Sequence, residues 1–100
     1  QMEIIAENKN FFEIIFLEET WIEVYNDDKT LLRSGLFNIG DRIDFELKTQ
    51  INDYFIKSGN LGGFQIFFKD EFFAPFGYSG EVNNGFYLKE KINQIRKKRM

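Results

Sequence analysis

The chain contains no histidine and no cysteine, a single proline, and no apolar run near the length of a membrane span. Without His, a Ser-His-Asp triad, a His-ligated metal and a near-neutral imidazole base are all excluded. Without Cys there is no disulfide, no thiolate nucleophile and no soft-metal site. That absence leaves the compartment open, because a domain with an adequate core is exported without staples. A span needs roughly 18 consecutive apolar residues, and no signal-peptide pattern opens the sequence. Any anchor or export signal of the parent protein is therefore expected outside these residues.

What is abundant is phenylalanine, with 13 copies in 100 residues at 43% hydrophobic content. One ordinary domain of this size buries roughly two-thirds of its unfolded surface, and large rings fill a small core efficiently. The net charge of -3 is unevenly spread. Residues 1–88 hold seven Lys/Arg against fifteen Asp/Glu, whereas residues 89–100 hold six against Glu90 alone. An acidic body offers no phosphate-binding face, so no nucleic-acid partner is expected. A short basic tail reads first as a solvated charge run.

Residues 1–9 show no period and read as a lead-in. Phe11 to Leu17 is a strand with apolar residues on both faces, expected to be central and covered on each side. Thr20 to Tyr25 alternates Trp21, Glu23 and Tyr25 against Ile22 and Val24. Asn26-Asp27-Asp28-Lys29 and Asn38-Ile39-Gly40-Asp41 are turns, and Thr30 to Arg33 returns as a strand, with Gly35 marking a bulge or close approach. Arg42 to Leu47 places Ile43, Phe45 and Leu47 inward. Lys48 to Asn52 is a polar connection. Strands follow at Tyr54–Lys57 and at Phe64–Phe68, the latter with Phe64, Ile66 and Phe68 on one face. Lys69-Asp70-Glu71 turns into Phe72-Phe73, and Ala74 to Gly80 is a loop by its proline and glycines. Glu81-Val82 and Phe86–Leu88 form a last strand region, with Asn83-Asn84-Gly85 as an intervening turn.

Seven or eight short strands with frequent turns predict an all-β, antiparallel sandwich or barrel over residues 10–88, and the sandwich is the expectation adopted. In the basic tail, 89–100, the spacing of Leu88, Ile92 and Ile95 is compatible with one short helix. Its cations would sit favourably near a helix C-terminus, yet alone it would be marginal, so helix and disorder both stay open.

The residues offer little chemistry. Asp27-Asp28, Asp41 with Asp44, and Asp70-Glu71 fall in turns or at outward strand positions, where solvated carboxylates are the ordinary outcome. Asn26-Asp27-Asp28 lacks the ligand alternation and terminal Glu of a calcium loop. Gly59-Asn60-Leu61-Gly62-Gly63 lacks the Gly-Lys-Ser/Thr of a Walker loop and leads into a strand, so it reads as a tight turn requiring positive φ. No catalytic residue, metal or cofactor is expected, nor any small-molecule ligand. Phe72, Phe73, Phe76 and Tyr78 cluster around the proline; they read mainly as core closing one end of the sandwich, and as a partner surface if exposed. Trp21 reads as core, in which case its truncation to Ala would cost about 3–5 kcal/mol.

Thr20-Trp21-Ile22-Glu23-Val24-Tyr25, followed by Leu31-Leu32, Gly35-Leu36, Gly40-Asp41 and Phe45, resembles the C-terminal domain of RodZ-type bacterial cell-shape proteins. Trp21, Glu23, Val24, Gly35, Leu36 and Gly40 match the pattern, and Gly59, Asn60 and Gly62 sit where its Gly-Asn turn belongs. The resemblance covers residues 11–88. Asp70-Glu71 stands where the family often has a hairpin Gly, and Asn83-Asn84-Gly85 and the tail match no part of the pattern.

The resemblance implies a non-catalytic domain outside the bacterial inner membrane, on a single-pass parent protein whose separate cytoplasmic part binds MreB. It implies contact with wall-elongation membrane proteins. The alternative function is a carbohydrate module that reads peptidoglycan with surface aromatics. A third is a closed barrel around a small apolar ligand.

Overall fold

A computed structural model describes residues 11–46, 53–74 and 76–99. The expected lead-in, the inward Leu47, the connection at 48–52 and Pro75 lie outside the described residues. Among the described residues there are eight strands: β1 (Phe11–Phe16), β2 (Thr20–Asn26), β3 (Leu31–Phe37), β4 (Arg42–Glu46), β5 (Tyr54–Ser58), β6 (Phe64–Phe68), β7 (Glu71–Phe73) and β8 (Asn83–Tyr87). A helix, α1, spans Leu88–Arg99. The strands form two four-stranded sheets, β4-β1-β6-β7 and β3-β2-β5-β8, with every pairing antiparallel. This is the expected sandwich, not a closed barrel.

Period-two alternation builds the core. Phe12, Ile14 and Phe16 of β1 face inward with Ile43 of β4 and with Phe64, Ile66 and Phe68 of β6. Ile22, Val24, Tyr54 and Ile56 face them from the other sheet. Rings lock the layers: Phe16 stacks on Phe37 at 4.7 Å and Phe12 meets Tyr54 edge-on at 4.8 Å. The buried Tyr54 hydroxyl donates to Glu46 O at 2.6 Å, so the ring brings its polar atom inside already satisfied. β1 is central, as expected, but covered on one side only, and Phe11 is exposed on the other.

Turn chemistry follows the sequence at two places, the β2–β3 hairpin and the turn that carries the chain from β3 to β4 in the other sheet. Asn26 Oδ1 accepts from the Asp28 and Thr30 amides while Lys29 takes φ 66°. In the second, Asp41 N–H donates to Asn38 O at 3.0 Å with Gly40 at φ 89°, a position that favours glycine.

Two expectations are corrected. Asn83-Asn84-Gly85 is no turn: it lies inside β8, where Asn83 Oδ1 accepts from the Gly85 amide at 2.7 Å and pairing with β5 is irregular. The Asn side chain thus spends its local hydrogen bond on a kink within the strand. Nor do Gly59, Gly62 and Gly63 take positive φ. Residues Leu61–Gly63 form one 3₁₀ turn, and a Cβ on Gly62 would strike the backbone of Tyr78 and Ser79. A Cβ on Gly63 would strike Thr20 Oγ1 and the Asn60 amide. Close approach, not backbone twist, demands Gly62 and Gly63.

The tail is a helix that joins the fold. Leu88 and Ile92 are buried in the core, and Ile95 packs against it. Asp53 Oδ1 accepts from the Lys89 amide at 3.1 Å, holding the helix start. Near its end, Arg96 and Arg99 grip Glu71 of β7 at 3.2 and 3.1 Å and lie over the Phe73 ring. The helix therefore runs between β8 and β7, across one open side of the sandwich.

Candidate contact surface

The outer face of the β3-β2-β5-β8 sheet follows from strand phase. Ile22 and Val24 point inward, so Trp21, Glu23 and Tyr25 must point outward. The register places Leu36 opposite Trp21, Ser34 opposite Glu23 and Leu31 opposite Tyr25, with a bulge between Val24 and Tyr25. On the other flank, Lys57 lies opposite Glu23, Phe55 opposite Tyr25, and Tyr87 opposite Phe55.

Trp21 is 42% exposed and its partner Leu36 61%. The expectation that Trp21 is core is therefore wrong: both phases of β2 carry apolar residues, and Ile22 and Val24 took the inside. Gly59 lies behind the indole, its amide donating to Trp21 O at 3.0 Å. Leu31, Leu32 and Tyr87 extend the exposed apolar surface. Phe55 sits between Tyr25 and Tyr87, at 6.3 and 4.9 Å, with both ring pairs inclined at 59°. The ring of Tyr25 carries Lys57 Nζ at 5.5 Å, and its hydroxyl donates to Glu23 Oε1. That hydrogen bond holds the tyrosine proton and pushes its pKa up.

The aromatic cluster anticipated around the proline is split. Phe73 and Phe76 are buried, whereas Phe72 is 51% and Tyr78 78% exposed. Neighbours along β7 alternate, so Phe72 turns outward onto Phe67 at 4.7 Å while Phe73 turns inward. Phe76 stacks between Phe64 at 5.2 Å and Phe86 at 5.6 Å. Four rings that look contiguous in sequence do not make one platform.

Asn60 ties this end of the sandwich together. Its Nδ2 donates to Glu18 Oε1 at 2.9 Å, and its Oδ1 accepts from the Gly80 amide at 2.6 Å. Ser79 Oγ also donates to Glu18 Oε1, at 2.8 Å. Hydrogen bonds from Asn60 and then Ser79 hold the Glu18 carboxyl below its ordinary range. The matched Gly-Asn turn is thus a junction of three chain segments.

On the opposite sheet, Phe11, Glu13, Asp44 and Phe67 line an open depression of about 340 Å³. Partial burial, then the facing Asp44, push the Glu13 carboxyl up, and Arg42 at 3.6 Å opposes them. Among the described residues no group of three or more His, Cys, Asp or Glu is placed to hold a metal.

The assembled features define a ring-packed antiparallel β-sandwich with an outward Trp–Leu pair on one sheet face. Residues 13–84 match the RodZ C-terminal domain, and the chain belongs to that family. It is thus a domain of a RodZ-like cell-shape protein. No curated protein and no solved structure matches it. The matched span ends before α1 begins.

Proposed function

We propose that this domain is the extracytoplasmic, non-catalytic part of a membrane-anchored RodZ-like protein, and that it contacts wall-elongation membrane proteins through the outer face of its β3-β2-β5-β8 sheet. The observation that carries the reading is the Trp21–Leu36 pair, exposed where a structural role would have buried it. Exposed Trp and Tyr side chains are frequent anchors of protein recognition, and an exposed apolar neighbour such as Leu36 widens the patch. The peptidoglycan alternative draws on the same face, but the rings of Tyr25, Phe55 and Tyr87 are inclined to one another, unlike a flat sugar platform.

Pull-down of detergent-solubilised wall-elongation proteins with the 100-residue chain tests the proposal, run beside sedimentation with purified peptidoglycan. Capture of the membrane proteins is expected, with loss of capture in Trp21→Ser and Leu36→Ser variants that melt as cooperatively as the parent. Retention by peptidoglycan alone would overturn it.

A further inference from the structure

Each sheet of a sandwich has two edges, and an edge strand carries unpaired N–H and C=O groups that template further pairing. Three of the four edges here are blunted. β4 displays Arg42, Asp44 and Glu46 on its exposed side. β7 has three residues, and Arg99 Nη2 occupies Phe72 O at 2.6 Å. β8 is irregular, contains Gly85 at φ 142°, and runs straight into α1.

Among the described residues β3 is the least protected edge: its bulge lies at the Leu31–Leu32 end, and Gly35, at φ 153°, is paired to β2. The strand is seven residues long, exposes Leu31, Leu32 and Leu36, and carries one charge, Arg33, whose guanidinium rests over the Phe37 ring at 5.5 Å. Its free backbone groups can be assigned. Trp21 O accepts from the Gly59 amide, so Trp21 turns its peptide groups toward β5. Alternation then aims Ile22 and Val24 at β3, tying Gly35 and Arg33 to β2. Leu36 and Ser34, opposite Trp21 and Glu23, must direct their N–H and C=O outward along the edge. The same residues carry their side chains on the exposed outer face.

We propose that β3 pairs antiparallel with β3 of a second copy, about a two-fold axis at Ser34, joining two four-stranded sheets into one. Outward peptide groups at Ser34 and Leu36 select this register. It sets Ser34 against Ser34 of the other copy, Leu36 against Leu32 and Arg33 against Gly35. No charge meets a like charge, and apolar pairs occur twice by symmetry. An isologous contact of this kind closes on itself and stops at a dimer. The joined sheet also carries Trp21 and Leu36 of both copies on one continuous face. The pairing stands on the edge geometry and does not depend on the partner proposed above.

Sedimentation equilibrium of the 100-residue chain is expected to show a concentration-dependent monomer–dimer equilibrium. Ser34→Pro removes only an outward N–H, which an edge strand tolerates; it is expected to raise the dimer dissociation constant at least tenfold. Should that variant fold poorly, oxidative cross-linking decides. The chain has no cysteine, and in this register the two Ser34 Cα atoms lie about 5.5 Å apart, within disulfide reach. The two Leu36 Cα atoms lie roughly 13 Å apart along the strands. Ser34→Cys is therefore expected to form a covalent dimer rapidly and Leu36→Cys slowly. A chain that stays monomeric at millimolar concentration would overturn the proposal, as would equal cross-linking of the two variants. A monomer that still captures elongation proteins would separate this failure from that of the proposed function.

Discussion

Replacing Asp70 with glycine should stabilise the domain, and the reason is local. Phe68 pairs with Glu71, so Lys69 and Asp70 alone make the turn between β6 and β7. Their φ angles, 50° and 68°, are both left-handed, the geometry of a type I′ hairpin that favours Asn-Gly. An L-residue with a Cβ gives up roughly 1–2 kcal/mol in that region, and Asp loses less because it tolerates the conformation. Glycine relieves the strain but costs about 0.4–1 kcal/mol through the freer unfolded chain. The net gain for Asp70→Gly is therefore about 0.5–1 kcal/mol, or about 2–8 °C in melting temperature for a domain of this size. Asp70 is the better site to change, because Lys69 also holds its ammonium over the Phe68 ring at 5.4 Å. Urea unfolding followed by circular dichroism reads the effect as a higher midpoint at unchanged slope. An unchanged or lowered midpoint would refute the turn assignment and the strain it assigns to Asp70.

Three further outcomes follow from the packing. Phe73→Ala should cost about 3–5 kcal/mol, as a buried ring lost from the core, whereas Phe72→Ala next to it should cost clearly less; equal losses in paired thermal melts would contradict the split of the cluster. Gly63→Ala should destabilise strongly even though Gly63 needs no positive φ, because its methyl meets Thr20 and Asn60; a wild-type melting temperature would show that the junction yields. Glu18, held below the ordinary carboxylate range, contributes stability above its unfolded pKa and loses it as pH falls through the depressed folded value. Its carboxyl midpoint by NMR should lie low and rise in Asn60→Ala; no movement would remove Asn60 as the leading cause.

Where one phase of a strand was apolar, the sequence was legible. Phe64, Ile66 and Phe68 on β6 and Ile43 on β4 went inward as their alternation requires. β2 defeated the same reasoning because Trp21 and Tyr25 compete with Ile22 and Val24 for the inside. Only pairing across to β5 and β3 settles which phase is covered. The candidate surface was hidden for a related cause, since nothing local in Leu31, Leu32 and Leu36 shows that β3 is an edge strand with these side chains exposed. The spacing of Leu88, Ile92 and Ile95 fits a helix, but its docking rests on Arg96 meeting Glu71 and Phe73, far earlier in the chain and beyond the reach of any local pattern.

The position of α1 sets an order of events during synthesis. Ile92 belongs to the core, and Arg96 and Arg99 reach back to β7. Until residues 88–99 have emerged from the ribosome, the β7 and β8 side of the sandwich stays open, with Phe73 and Phe86 uncovered. Domains generally fold as units during synthesis, and transiently exposed apolar edges invite association. In this chain the element outside the matched family span completes the closure. Completion of the core therefore waits on the segment translated last among those described, which makes the interval just before its release the period of greatest exposure to chaperones and proteases.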